Sequence, residues 1–211
     1  MSDGRPHGAF FVALCGNIGV GKSLFAESIG ARIGLDVYYE PVSQNPYLDA
    51  FYRDMRRWAF HLQIYFLAER FKSQKHMAWG AQPFLQDRTV YEDGEIFARV
   101  LHRRGAMNDR DHECFLALFR EMVAILPPPG LLLYLHAAPA TLRRRIAERG
   151  RACERGIDTE YLRQLEEAYR EWLPAAGRMC PVIEIDTEAF AFPPDEATIG
   201  GIMAQIHAAR T

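Results

Sequence analysis

An α/β domain with a buried, mostly parallel sheet is the fold class this sequence predicts, and three observations predict it. Five short stretches rich in bulky or β-branched apolar residues punctuate the chain, segments of helical periodicity separate them, and no linker or composition break divides its 211 residues. A hydrophobic content of 49% supports a continuous core, so the expected organisation is a single domain over residues 1–211.

The elements follow in order. FFVALC (10–15) reads as the first strand, and the segment LFAESIGARI a little further on reads as a helix. DVYY (36–39) is a second short strand. Residues 56–78 place Ala59, Leu62 and Phe66 at helical spacing, which predicts a long amphipathic helix, and PFLQD (83–87) is the third strand. LPPPG (126–130) stops a helix ahead of the fourth strand, LLLYL (131–135). A second long helix over 158–172 aligns Tyr161, Leu162, Leu165, Ala168, Tyr169 and Trp172 on one face. VIEID (182–186) is the fifth strand, and FPPDE (192–196) precedes a last helix carrying Ile199, Ile202, Met203 and Ile206.

Gross properties exclude several functions. The formal charge of −2 gives no global attraction for nucleic acid or an anionic membrane, so any anion must be held by a local cluster. AFFVALC is too short for a signal peptide's apolar region with its cleavage site, and no later run approaches bilayer length. The cysteines at 15, 114, 153 and 180 lack CxxC spacing, which suits a reducing compartment; a cytoplasmic location is expected. The seven histidines show no metal-ligand spacing, and Trp58, Trp79 and Trp172 read as helix-packing aromatics, with Trp58 bordering a pocket.

Between the first strand and the first helix lies GNIGVGKS, which satisfies GxxxxGK[ST] at residues 16–23. In such a loop Gly16, Asn17, Ile18, Gly19, Val20 and Gly21 turn main-chain N–H groups around phosphate oxygens, Lys22 reaches the β- and γ-phosphates, and Ser23 can ligate Mg²⁺. ATP with Mg²⁺ is therefore the expected cofactor pair. Neither NKxD nor a switch DxxG follows in a plausible position, which argues against a GTPase. A small-molecule kinase needs instead a carboxylate near the attacking hydroxyl and cations over the transferring group. Glu40 ends the second strand, Asp87 ends the third, and Arg88 follows it, so all three should border the crevice at the carboxyl edge of the sheet. RRRIAERGRACER (143–155) has the form of a lid of about residues 143–157. Gly150 breaks its helix, Arg145 and Arg149 lie one turn apart, and Arg151 stands just past the break.

Assembled, the pieces GNIGVGKS, YEPV, YRDMRRWAFHLQIYFLAER, DRTVYEDGEIFA and RGRACERGI followed by YLRQLEEAYREWL resemble the deoxyribonucleoside kinase family. They span residues 12–173 in the family's order. The resemblance implies the P-loop kinase fold with a five-stranded parallel sheet flanked by helices and an arginine-rich lid. It also implies a homodimer formed through a helix bundle, and transfer of the ATP γ-phosphate to a deoxyribonucleoside 5′-hydroxyl. By the same resemblance Glu40 is the general base, Arg88 orients it, and Asp87 stands near the Mg²⁺ as a rival acid. Thr89 replaces the family's usual Ser. Tyr52 and Glu154 fall on the pair that binds the 3′-hydroxyl. Gln63, Arg70 and Asp93 fall on the base readers, and Phe97 on the stacking ring. Gln63 and Arg70 are seven residues apart and Asp93 and Phe97 four, so each pair shares a helix face. The Arg70–Asp93 combination implies deoxyadenosine, deoxyguanosine or deoxycytidine over thymidine. A nucleoside monophosphate kinase such as a thymidylate kinase, or a noncatalytic nucleotide-binding member of the fold, are the alternatives.

Overall fold

All six residues of β1 (Phe11–Gly16) are buried. FVALCG carries no polar side chain, the composition required of a strand covered on both faces. The computed structural model describes residues 10–39, 44–80 and 82–209. β1 pairs in parallel with β3 (Phe84–Asp87) on one side and β4 (Leu131–His136) on the other. β2 (Asp36–Tyr38) adds to β3 and β5 (Val182–Asp186) to β4, giving a parallel sheet of order β2-β3-β1-β4-β5. The five expected strands are the five observed, with ends shifted by a residue: β1 runs on to Gly16, and β2 stops at Tyr38. β2 is an edge strand with Asp36 and Tyr38 exposed, which explains why its sequence signal is the weakest.

Parallel strands require crossovers, and helices supply them. α1 (Lys22–Ile33) links β1 to β2; α2 (Leu48–Arg53) and α3 (Met55–Ala78) precede β3. After β3 come a short turn α4 (Val90–Glu92), a π-helical stretch (Asp93–Ala98), α5 (Arg99–Arg103) and α6 (Asp109–Ile125). α7 (Pro139–Arg149) and a 3₁₀ turn (Ala152–Gly156) lead into α8 (Thr159–Ala176), and α9 (Glu196–Ala209) follows β5. α8 buries the apolar face its periodicity predicts and runs four residues beyond 172. α7 ends where expected, at Gly150, whose φ of 71° favours glycine.

Two expectations need correction. Trp79 is 57% exposed, not packed, because it is the C-terminal cap of α3 and leaves the helix's buried face; the Lys75 ammonium sits 5.9 Å from its ring. Asp93 and Phe97 lie in π-helical rather than α-helical backbone, so the one-turn α spacing does not apply. The wider turn still brings both residues to the same cavity.

Since the sheet order places β3 and β4 on opposite sides of β1, the chain leaves β1 at the point where crossovers diverge. Crevices form there, at the carboxyl edge of a parallel sheet.

Candidate active site

The loop leaving β1 is shaped by its glycines. Gly16 has φ +144°, and a Cβ on it would stand 2.3 Å from the Leu135 carbonyl oxygen, so no other residue fits between β1 and β4. Gly21 has φ +100° and caps α1, with the Phe192 ring covering its α carbon. Lys22, 7% exposed, folds back so that Nζ donates to the carbonyls of Gly16 at 2.9 Å and Asn17 at 3.0 Å. Ser23 Oγ donates to Asp87 Oδ2 at 2.8 Å, which ties the start of α1 to the end of β3.

Arg88 follows Asp87 with φ +69°, a backbone conformation that costs a non-glycine residue about 1–3 kcal/mol. Its main-chain N–H continues the sheet by donating to Leu14 O at 2.9 Å. The strain aims the guanidinium inward, where it donates to Gly16 O at 3.3 Å and lies 4.3 Å from the centre of the Phe97 ring.

These groups border a cavity of about 920 Å³ at the carboxyl ends of β1 and β3. Ile18, Gly19, Gly21, Lys22 and Ser23 form one wall. Gly16, Asn17 and Val20 do not line it; they are buried behind the loop and support it, with Asn17 Nδ2 donating to Leu162 O at 2.8 Å. Asp87 and Arg88 form the floor. Glu40 lies outside the described residues.

α3 supplies Gln63 and Arg70 and the π-helical stretch supplies Asp93 and Phe97, all lining the cavity. Arg70 and Asp93 form an ion pair with side chains only 4% and 1% exposed. The Arg70 guanidinium also lies 4.7 Å from the Phe66 ring centre, so the ring packs the fork in one orientation. A buried pair gains little net stability against its desolvation cost, which makes recognition a better reason for its presence than folding. Tyr52 and Glu154 join the lining from α2 and the 3₁₀ turn. Burial holds the Tyr52 hydroxyl pKa well above its ordinary value, with Tyr161 and the Glu154 charge adding to the effect, so it stays a hydrogen-bond donor.

The lid closes the third side. Arg149 donates to Glu154 through Nε at 3.1 Å and through a terminal nitrogen at 2.5 Å, and Arg151 reaches the same carboxylate at 3.3 Å. Arg145 donates to Thr187 Oγ1 and Thr187 O, both at 2.8 Å, and to Val20 O at 3.3 Å. Partial burial lowers its pKa, with Arg144 adding to the effect.

Sequence reasoning missed one wall. The segment after β5 brings Glu188, Phe190, Ala191 and Phe192 to the cavity. The Phe192 ring lies 5.0 Å from the Arg145 guanidinium as well as over Gly21, so it joins loop and lid. Glu188 accepts from Ala138 N at 3.0 Å and Thr141 Oγ1 at 2.5 Å and so caps α7; those two bonds hold its pKa down. The signal available was the pair of phenylalanines between a strand end and two prolines, which carries no chemistry by itself.

Comparison with known proteins agrees with this geometry. A family model described as deoxynucleoside kinase matches residues 12–209. The chain is 38% identical over 197 residues to a deoxyadenosine/deoxycytidine kinase of Bacillus subtilis, covering 92% of this chain and 90% of the relative. It is 38% identical over 182 residues to a deoxyadenosine kinase of Dictyostelium discoideum, covering 86% and 74%. The deoxyadenosine kinase from M. mycoides, solved with bound dATP, superposes with a TM-score of 0.82 at 28% identity, covering 94% of this chain and 99% of that one. The chain belongs to the deoxynucleoside kinase family, and its activity is that of a deoxynucleoside kinase, an ATP-dependent phosphotransferase.

Proposed function

We propose that this kinase transfers the γ-phosphate of ATP to the 5′-hydroxyl of deoxyadenosine, deoxyguanosine or deoxycytidine and discriminates against thymidine. The observation that carries the reading is the buried Arg70–Asp93 pair in the lining of the same cavity as Lys22 and Ser23. A guanidinium only donates hydrogen bonds and a carboxylate only accepts them. Side by side they complement adenine or cytosine, which offer a ring nitrogen acceptor beside an exocyclic amino donor, and the guanidinium alone complements the N7 and O6 acceptors of guanine. Thymine would set O4 against the Asp93 oxygens and leave a buried acceptor unpaired, which a polar site penalises strongly. The named relatives that act on deoxyadenosine, deoxycytidine and deoxyguanosine support the same range.

In this reading the base inserts between Gln63, Arg70 and Asp93 with Phe97 against one face. Tyr52 and Glu154 hold the 3′-hydroxyl and point the 5′-hydroxyl back toward Arg88. Glu40, at the end of β2 in the sequence, accepts the proton, with Asp87 as the competing acid. A loose phosphoryl transition state asks little of the base and much of the surrounding cations. Lys22, Arg88 and Arg145 would supply that charge, with Arg149 and Arg151 released from Glu154 as the lid closes. Ser23 Oγ and the Asp87 carboxylate, 2.8 Å apart, present the hard oxygen donors that suit Mg²⁺, an ion that takes few protein ligands and completes its shell with water and phosphate. When bound, Mg²⁺ would neutralise phosphate charge.

A homodimer is proposed as well. On α6, Leu118 and Ile125 are 40% and 49% exposed with the half-buried Met122 between them, an apolar stripe that adjoins the face burying Phe115 and Phe119. Among the described residues no helix is long and apolar enough to cross a membrane, and all four cysteines are free.

A thymidylate kinase-like reading shares loop and lid but needs a contact for the acceptor's existing phosphate. The deciding experiment compares deoxynucleosides with thymidine monophosphate as acceptors for ATP and Mg²⁺, in the parent and in Glu40→Gln. The expected outcome is 5′-monophosphate from the deoxynucleosides, and a variant that loses turnover while keeping nucleoside affinity. Better turnover of thymidine monophosphate, or equal losses of both quantities in the variant, would overturn it.

A further inference from the structure

Beneath the phosphate loop lies a buried polar assembly that the mechanism above leaves unused. Glu92, on the turn after β3, and Tyr169, on α8, are each 0% exposed. Glu92 Oε2 accepts from Thr89 N at 2.9 Å and so closes the first turn of α4, an ordinary capping role. Capping occupies one oxygen. The other, Oε1, leaves its own helix and accepts from Gly16 N at 3.3 Å, 76 residues back in the chain. The Tyr169 hydroxyl lies 2.6 Å from that same oxygen and 2.9 Å from the Gly16 carbonyl, and its single proton is shared between them. Both main-chain groups of Gly16 are thus held from below.

The hold matters because of what shares the Gly16 carbonyl. Lys22 Nζ donates to it at 2.9 Å and an Arg88 nitrogen at 3.3 Å. That one carbonyl therefore shares in holding both cations of the proposed phosphate site, at a residue whose φ of +144° favours glycine. A buried carboxylate is expensive unless several hydrogen bonds satisfy it; here one comes from the helix Glu92 caps, one from the Gly16 N–H of the loop and one from Tyr169, which bonds the Gly16 carbonyl in turn.

We propose that Glu92 and Tyr169 form a positioning clamp that fixes the Gly16 peptides and, through them, the orientation of Lys22 for phosphoryl transfer. The clamp rests on the loop being the ATP cradle. It belongs to the donor end, so it leaves the nucleoside end alone. α8 also follows the lid directly in sequence and holds Asn17 through Leu162 O, so the same helix holds the loop at two points.

The test uses Glu92→Gln, Tyr169→Phe and the double variant in the full chain. MgATP and deoxyadenosine affinities are measured by calorimetry, and turnover and melting temperature are recorded alongside. Glu92→Gln sets an amide N–H against a main-chain N–H, and should lower kcat about 10–100-fold and MgATP affinity about tenfold. Deoxyadenosine affinity should stay within about threefold, and the double variant should be no worse than Glu92→Gln alone, because both residues act on one glycine. Tyr169→Phe should move the same quantities by less. A folded variant with kcat and MgATP affinity both near the parent's overturns the clamp. So does an equal loss at both ligands, which a merely structural role would give. Should Glu92→Gln fail to fold, Tyr169→Phe decides on the same criteria. The binding asymmetry is read without turnover, so failure of the parent to phosphorylate deoxynucleosides would sink the proposed function while still leaving the clamp open to refutation.

Discussion

In the proposed reading the donor phosphates lie against the loop of residues 16–23, a run of peptide groups shaped by Gly16, Gly19 and Gly21 with Lys22 and Ser23 added. The same reading gives the acceptor base to Gln63, Arg70, Asp93 and Phe97, side chains drawn from α3 and from the π-helical stretch more than 20 residues further on. Phosphate is the same group in every nucleotide, so a contiguous backbone cradle serves it. Bases differ only in their edges, and telling them apart takes individually placed donors and acceptors whose cost is borne by burial. The donor end should therefore govern turnover and the acceptor end should govern choice.

The largest effect that would break this division lies in the lid. Arg145→Ala should lower kcat about 10³-fold while nucleoside KM stays within about threefold, since a cation on the transferring group acts in the transition state. A parallel rise in nucleoside KM would place Arg145 at the acceptor end. Next comes Asp93→Ala, which removes the buried carboxylate paired with Arg70. Chemical unfolding should show a loss of about 3–5 kcal/mol, and kcat/KM for deoxyadenosine should fall more than that for thymidine. Unchanged stability would mean the pair is not the buried feature described.

Tyr52→Phe gives the smallest change. Losing one neutral hydrogen bond to the sugar should raise nucleoside KM about tenfold with kcat nearly unchanged. It also carries a pH signature. The folded chain keeps the Tyr52 proton above the ordinary pKa of 10.0, while the unfolded chain releases it. The stabilisation is therefore complete below pH 10.0 and is lost as pH rises above it. Tyr161 and Tyr169 shift in the same direction through burial, so the parent should lose stability steeply in strong alkali and the Phe variant less so.

The same contrast explains what the sequence disclosed. The loop was legible because its chemistry is contiguous and needs glycine at fixed places, and the strands because buried parallel strands have a distinctive composition. Arg145, Arg149 and Arg151 stood out as a charge run broken by Gly150. Gln63, Arg70, Asp93 and Phe97 gained meaning only as a set within the family resemblance, since each alone is an ordinary helix residue. The π-helical setting of Asp93 and Phe97 left no mark that spacing could reveal. Phe192 escaped notice because a phenylalanine beside two prolines looks like loop packing until the fold lays it over Gly21. Glu92 escaped for a related reason. A glutamate three residues after a threonine reads as a helix cap, and its second oxygen becomes informative only once Gly16 and Tyr169 are seen beside it.

A competition assay tests the central claim most directly. Equal concentrations of deoxyadenosine, deoxyguanosine, deoxycytidine and thymidine are supplied together with limiting ATP and Mg²⁺, and the four 5′-monophosphates are separated and counted. The Arg70–Asp93 reading predicts that the purine and cytosine products account for nearly all the phosphate transferred. Thymidine 5′-monophosphate as the leading product would contradict it.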